Sequence, residues 1–120
     1  EKLLAIIHNS VSLVSMKDLA GRYEFVNRRF EAFFNVTAEE LVGRTDTQTL
    51  PPAVAREFRD KELEVVRRQE AIETTEQIEL ADGKIHTLRS IRFPLVGDDG
   101  LIYGVCTQSS DLSEVLPGAD

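Results

Sequence analysis

The sequence predicts an α+β fold in which one five-stranded antiparallel sheet carries helices on one face. Three observations predict it. Residues 11–17 and 22–27 show the alternating apolar pattern of paired strands. Residues 28–43 and 52–69 follow the helical period instead. The last third returns to strands rich in Thr, Ile and Val, and Asp-Gly pairs that favour hairpin turns separate them.

Length and composition indicate a single globular domain. The chain has 120 residues, of which 42% are hydrophobic and 29% charged, a balance that can bury one ordinary core. Because it begins with Glu1 and lacks a signal-peptide pattern, we interpret it as a segment of a longer protein. No apolar run reaches the ~18–20 residues of a membrane span, so we expect no membrane contact by this segment.

The net charge and the cysteine content predict which partners the protein binds and in which cellular compartment it lies. The formal net charge of −7 argues against a nucleic-acid partner, which would need clustered basic residues. The basic pair Arg67-Arg68 lies among acidic residues and indicates a solvated helix face. One cysteine, Cys106, cannot form an internal disulfide, which fits a reducing cytosol and predicts a cytoplasmic protein.

The first elements are a helix and a hairpin. Residues 1–9 place more apolar surface on a helix than the edge of a small domain usually hides, so this helix packs on its own core or meets a second copy. Strands 11–17 and 22–27 form a hairpin. Asn27 can cap the helix over residues 28–35 because its side-chain oxygen can accept a first-turn N–H.

Two further helices follow. Thr37 and Glu40 form a capping box, which predicts a short helix from Thr37 to Gly43. Residues 44–51 are predicted to be irregular or a single turn. Pro52 suits the first position of a longer helix that runs to about Gln69. One stripe of that helix is apolar, with Val54, Ala55, Phe58, Val65 and Val66.

Strands 72–80, 85–95 and 101–109 complete the sheet as an antiparallel meander. Alternation assigns the side chains of each strand to two faces. In residues 85–95, one face carries Thr87, Arg89, Ile91 and Phe93, and the other His86, Leu88, Ser90 and Arg92. In residues 101–109, one face carries Ile102, Gly104, Cys106 and Gln108, and the other Tyr103, Val105, Thr107 and Ser109. Both faces carry apolar residues, so we expect a flanking helix or a partner chain to cover the second.

Reactive groups are few. His8 and His86 are the only histidines, and the chain lacks nucleophile-elbow, metalloprotease and phosphate-loop motifs. One cysteine and two histidines do not complete a structural zinc site. We therefore predict that this segment is not an enzyme and holds no metal.

Five segments in this order resemble a PAS domain of bacterial sensory proteins. They are KDLAGRYEFVNRRFEAFF, TAEELVGRTD, LPPAVAREFRDKELEVV, the Asp-Gly hairpin with FPLVGDDGLIYGV, and SDLS. The resemblance covers essentially the whole chain. It implies a flanking helix over residues 1–10, a PAS core over 11–110 and a junction to an output domain over 111–120.

The resemblance also implies a function. PAS domains of this kind sense a small molecule or a conformational signal, usually dimerise, and act on an output module such as a histidine kinase or a diguanylate cyclase. We thus expect a homodimer with a downstream output domain in the same chain. The alternative is a pure protein-interaction or dimerisation domain with a filled core and no ligand.

Carried onto this sequence, the resemblance implies three groups of residues. Those facing the pocket would be Glu76, Ile78, Leu88, Ser90, Arg92, Cys106 and Gln108. Those on the outer face or dimer surface would be Leu3, Leu4, Ile7, Ile91, Phe93, Tyr103 and Val105. The SDLS segment stands in place of the family's Asp-Ile-Thr junction, where Asp111 and Glu114 can cap a following helix.

The cofactor is unknown from the sequence. The stretch GRTDTQTL lacks the reactive cysteine of flavin-binding light sensors, and helix 52–69 lacks a haem-ligating histidine. Both observations argue against covalent flavin and haem. Ser90, Arg92 and Gln108 could bind a small polar or anionic ligand, since Arg suits carboxylates. Alternatively, Glu76 and Arg92 pair across neighbouring strands and fill the space themselves.

Overall fold

The structure, a computed structural model, describes residues 2–8 and 10–114. Side chains are described for residues 5–8 and 10–113. The side chains of the predicted dimer residues Leu3 and Leu4 and of the junction residue Glu114 lie outside the described residues, as do positions 115–120 of the predicted junction.

Five strands form one antiparallel sheet, which confirms the predicted α+β fold. They are β1 Leu13–Asp18, β2 Tyr23–Val26, β3 Ile72–Glu79, β4 Ile85–Val96 and β5 Ile102–Asp111. The strand order is β2-β1-β5-β4-β3. Strand β5 therefore lies at the centre, hydrogen-bonded to β1 from the N-terminal hairpin on one side and to β4 on the other.

Within residues 2–8 and 10–114, one helix precedes the sheet, and three more connect its two halves. They are α1 Lys2–His8, α2 Arg28–Phe34, α3 Ala38–Leu41 and α4 Pro52–Arg68. A 3₁₀ turn spans Asp46–Gln48, and a second, Leu112–Glu114, follows β5. Within the described part of the chain, no helix is long and apolar enough to cross a membrane.

Asn27 joins the first hairpin to α2, as the sequence predicts. Its side-chain oxygen accepts hydrogen bonds from the N–H groups of Phe30 and Val14, each at 3.0 Å. Its amide nitrogen donates to the carbonyl oxygens of Ile7 and Ser12, each at 2.9 Å. The residue is fully buried. One side chain thus caps α2 and holds α1, β1 and α2 together.

The next two helices are present, although α3 ends at Leu41 rather than at the predicted Gly43. Thr37 Oγ1 accepts the N–H of Glu40 at 3.1 Å, which confirms Thr37 as the N-cap of α3. The Glu40 carboxylate accepts from the Thr37 hydroxyl rather than from the Thr37 backbone N–H, so the reciprocal bond of the predicted capping box does not form. Pro52 opens α4, where its missing N–H removes no helical bond. Gln69 ends α4 in the left-handed conformation with φ 58°.

The inner face of the sheet is the face that α2 and α4 cover. Strand β1 places Leu13, Ser15 and Lys17 on it, because all three are buried and border a cavity shared with the phenylalanines of α2 and α4. Directly opposed residues of antiparallel strands point to the same face. The register therefore adds Ser90 and Arg92 of β4, and Val105, Thr107 and Ser109 of β5.

The prediction of which β5 side chains point to which face of the sheet is wrong, because the two faces are exchanged. Cys106 pairs with Phe93, and Gln108 with Ile91, so both lie on the outer face and not in the pocket. Val105 lies on the inner face and not the outer one. Tyr103, two residues earlier, is 54% exposed near the hairpin end of the sheet. Because β5 carries apolar residues on both sides, only its pairing with β1 and β4 sets its phase.

The apolar core fills the space between the inner face and the helices. It contains Leu13, Tyr23, Val26, Phe30, Phe33, Leu41, Leu50, Val54, Phe58, Ile78 and Leu88. Helix α1 instead lies against the outer face, where the His8 ring contacts Phe25 with centroids 5.4 Å apart. Further along that face Ile91 remains 39% exposed and Phe93 half-buried.

Candidate functional site

The candidate site is the narrow space between the inner face and helices α2 and α4, which we call the cup. Its cavity of about 10 Å³ has room for about one water molecule. The walls are the rings of Phe30, Phe34 and Phe58 on the helix side. Polar and charged side chains line the sheet side. They include Ser15, Lys17, Arg92, Thr107 and Ser109, with Glu62 reaching in from α4.

Four residues form the Lys17 cluster: Lys17, Tyr23, Asp46 and Glu62. The Lys17 ammonium donates to the carboxylates of both Asp46 and Glu62, and the Tyr23 hydroxyl donates to Asp46. Lys17 is only 3% exposed, and its ammonium lies 4.5 Å from the Tyr23 ring centroid. The cluster therefore ties β1, β2, the first 3₁₀ turn and α4 together through buried charges.

Burial shifts the pKa values of two side chains in this cluster. It raises the pKa of the Glu62 carboxyl above its ordinary value of 4.5, with Asp46 adding to the shift and Lys17 opposing it. Burial and the neighbouring Asp46 carboxylate also raise the pKa of Tyr23 well above 10. Tyr23 consequently stays protonated near neutral pH and acts there as a hydrogen-bond donor.

A second buried network lies beside the Lys17 cluster on β3, β4 and β5. We call it the Arg92 cluster, and it consists of Thr74, Glu76, Ser90, Arg92 and Ser109. Arg92 Nη2 lies 3.1 Å from Glu76 Oε1, and Arg92 Nη1 donates to Thr74 Oγ1 at 3.2 Å. Ser90 Oγ donates to the same Glu76 oxygen at 2.9 Å and lies 2.7 Å from Ser109 Oγ. Arg92 is 1% exposed, and its Nε–H has no hydrogen-bond partner in the described part of the molecule.

The sequence predicts residues of the Arg92 cluster but none of the Lys17 cluster. Glu76, Ile78, Leu88, Ser90 and Arg92, all predicted to face the pocket, lie buried together on the inner face. Ile78 and Leu88 belong to the apolar core rather than to the polar networks. A ligand-binding role for these five residues stays a prediction.

The Lys17 cluster was missed by the sequence analysis. Two features of the sequence could have predicted this cluster. Lys17 continues the buried alternation of Leu13 and Ser15, and Glu62 lies on the helix face that carries Phe58 and Val65. A charged residue inside an apolar period indicates a buried partner of opposite charge.

Cys106 has a different environment on the outer face. It is 2% exposed, and burial raises the pKa of its thiol to about 11. The thiol is therefore protonated at neutral pH and is a weak nucleophile. Among the described residues, no His, Cys, Asp and Glu side chains converge as a metal site would require.

The chain leaves the sheet through a hydrogen-bonded clasp formed by His86, Thr87, Asp111 and Ser113. His86 Nδ1 lies 2.9 Å from Asp111 Oδ2, and Asp111 Oδ1 accepts the Ser113 N–H at 2.9 Å. Ser113 Oγ in turn accepts the Thr87 N–H at 3.1 Å. The His86 ring packs edge-on against Phe33 of α2, with centroids 5.1 Å apart. The clasp thus links the end of β5 to β4 and to the core.

Comparison with known proteins identifies the family. A family model described as the PAS fold matches residues 7–116. The chain is also 23% identical over 115 residues to the methanogenesis regulatory histidine kinase FilI of Methanothrix harundinacea (strain 6Ac). That match covers 96% of this chain and 13% of FilI, so the chain spans a small part of the curated relative.

Solved structures share the fold. VqmA of Vibrio cholerae, in a ligand–DNA complex, superposes with a TM-score of 0.83 at 22% identity over 92% of this chain and 50% of that chain. Another VqmA structure is described as bound to DPO, with the same TM-score and identity over 93% and 57% of the two chains. The PAS domain of Bordetella pertussis BvgS gives 0.81 at 22% identity over 95% and 86%.

The prediction that excluded nucleic acid from the partners is overturned by these structures. VqmA contains this fold and is described in a complex with DNA. The prediction relied on the net charge of 120 residues, but about half of that VqmA chain lies outside the matched region. The charge of one segment therefore does not determine the partners of a longer protein.

Proposed function

The chain belongs to the PAS-fold family, and on that basis we propose that it is a sensory module of a signal-transduction protein. In this proposal it mediates dimerisation and passes a small-molecule or conformational signal to an output domain of the same polypeptide. The observation that carries the proposal is the clasp, since it couples the chain's exit from the sheet to the core beneath it.

The clasp supports signal transfer because its carboxylate is buried. The Asp111 side chain is 1% exposed, and a buried carboxylate is stable only while its hydrogen-bond partners stay in place. A movement of β4 or of Phe33 beneath His86 therefore changes how residues 111–113 are held. That segment precedes any domain that follows in the full protein.

The relatives support an output domain elsewhere in a longer chain. FilI is named a histidine kinase, and this chain covers 13% of it. VqmA occurs in a ligand–DNA complex. A kinase and a DNA-binding domain are accordingly both candidate outputs, besides the diguanylate cyclase that the sequence resemblance implied. The buried free thiol of Cys106 supports a cytoplasmic location for the domain.

Dimerisation through the outer face is part of the same proposal. Ile91 is 39% exposed there and Phe93 is half-buried. On α1, Ile6 is 68% exposed and Ile7 is half-buried. Apolar surface of this kind on a sheet and an adjacent helix suits a second copy of the chain.

A pure interaction domain with a filled core remains the second candidate, and one observation favours it. The cavity measures about 10 Å³, and the Lys17 and Arg92 clusters already occupy the cup with their own ion pairs. Under this alternative the domain joins two chains, and the clasp has no influence on the output.

Output activity of the full-length protein separates the two candidates. Asp111→Ala removes the acceptor of the clasp, and Ser110→Ala is the matched control because Ser110 is exposed on the same strand. The sensory proposal predicts that the Asp111 variant changes output activity at least severalfold while the dimer mass is unchanged. Unaltered output in a correctly folded Asp111 variant would contradict it. Light scattering supplies the dimer mass in the same preparations.

A further inference from the structure

Helix α4 contacts the sheet through the Glu62 carboxylate, whose two oxygens have different neighbours. Glu62 has a side chain only 5% exposed. One carboxylate oxygen accepts a hydrogen bond from Lys17 of β1. The other lies 3.7 Å from Nη1 of Arg59, whose side chain is 37% exposed. Glu62 is thus buried, and one of its oxygens lies near an arginine at the rim of the domain that is itself partly exposed to water.

Among the residues that the structure describes, the buried part of the cup contains more carboxylates than cations. Asp46, Glu62 and Glu76 face Lys17 and Arg92, all of them buried. Glu76 is matched by Arg92, so Asp46 and Glu62 share the single ammonium of Lys17. Arg59 adds a third cation only at the rim, where solvent screens it. Unpaired buried charge is costly, and proton uptake removes it.

Glu62 is the carboxylate best suited to accept that proton. Asp46 receives two buried donors, the ammonium of Lys17 and the hydroxyl of Tyr23, whereas Glu62 receives one. In the part of the molecule that the structure describes, five charged or titratable groups face Glu62. They are Lys17 on β1, Tyr23 on β2, Asp46 in the 3₁₀ turn, Arg59 on α4 and Arg92 on β4. Burial, the largest influence, raises the pKa of Glu62.

We propose that Glu62 is a proton-binding site that regulates this domain. A proton from water binds the Glu62 carboxylate, and Lys17 keeps its charge and pairs with Asp46 alone. The ion pair between α4 and β1 then becomes a hydrogen bond between the charged ammonium and a neutral carboxyl, so mild acidification changes how α4 is held on the sheet. This inference rests on the proposed sensory function, because it names a signal that the module would detect.

The pH dependence follows from the direction of the shift. A carboxyl whose pKa is raised in the folded state binds its proton more tightly folded than unfolded. Its stabilising contribution is complete below 4.5, the ordinary value, and is lost as the pH rises through the folded-state pKa. Between those two values, the folding equilibrium constant gains up to tenfold for each unit of acidification, as expected for one extra bound proton.

Carboxyl ¹³C NMR titration of this chain tests the proposal directly. We expect Glu62 to titrate above 4.5, and the backbone amides of Lys17 and of Asp46–Gln48 to shift with the same midpoint. Glu62→Gln assigns the resonance and should abolish these amide shifts. Glu64→Gln is the matched control, since Glu64 pairs with Arg67 and Arg68 on the surface of the same helix and should leave the shifts intact.

Two results would overturn the proposal. One is a Glu62 midpoint at or below 4.5, and the other is a raised midpoint without any response of those amides. The titration of the unmodified chain decides both, even if Glu62→Gln does not fold. The sensory function itself is tested separately by the Asp111 variant in the full-length protein, so failure of either proposal leaves the other measurable.

Discussion

Asn27 shows how much of this fold depends on a single side chain. Its four hydrogen bonds join α1, β1 and α2, and it is fully buried. A helix cap is identifiable from the residue before a helical period, which is why the sequence predicted this one. The additional bonds to Val14, Ile7 and Ser12 depend on tertiary contacts that no local pattern encodes.

Asn27→Ala should lower the free energy of unfolding by about 3 kcal/mol, because it leaves several buried groups without partners. Thr37→Ala, which removes an exposed cap on α3, should cost about 1 kcal/mol. Urea denaturation of both variants measures the difference. Equal losses would show that Asn27 acts as an ordinary cap.

Cys106 provides a residue-scale test of how closely its side of the sheet is covered. Because burial raises the pKa of its thiol to about 11, the reactive thiolate is a minor species at pH 8. We expect the folded chain to react with a thiol reagent at least 100-fold more slowly than the chain in denaturant. Fast modification in the native state would contradict the burial of Cys106.

Strand β5 is the element that sequence reasoning described least well. Its start and its hairpin with β4 were predictable from the Asp99-Gly100 turn, whereas it continues to Asp111, two residues beyond the predicted end. Its phase was not predictable, because Val105 and Cys106 are both buried on opposite faces, so alternation alone offers no contrast. Pairing with β1, about 90 positions away in the sequence, settles the orientation.

Gly104 is where that pairing is tightest. A Cβ at this position would lie 2.3 Å from the carbonyl oxygen of Lys17, so Gly104→Ala must separate β1 from β5. We expect it to cost about 2–3 kcal/mol. Gly97→Ala is the control, since the one tight contact of its Cβ would be the Asp99 side chain at 3.0 Å. Leu101 and Tyr103 would lie at an ordinary 3.8 Å from it, so the substitution should cost about 1 kcal/mol or less. Thermal unfolding compares the two variants, and similar midpoints would contradict this account of the register.

Across the whole molecule, the sequence predicted the architecture more fully than the site. Element order, caps and hairpin turns are local, and they sufficed for the PAS fold. The Lys17 cluster draws on β1, β2, a 3₁₀ turn and α4, and only the tertiary fold brings these residues together. The exclusion of nucleic acid failed for another reason, since partners are a property of the full-length protein.

We propose that the clasp couples the segment that leaves β5 to the sheet and to the core. Amide hydrogen exchange of this chain, comparing the wild type with Asp111→Ala, tests it most directly. The account predicts that Thr87 and Ser113 lose protection together in the variant, while Val14, which is bonded to Asn27, keeps its own. Protection of Thr87 and Ser113 that persists without the Asp111 carboxylate would contradict the claim.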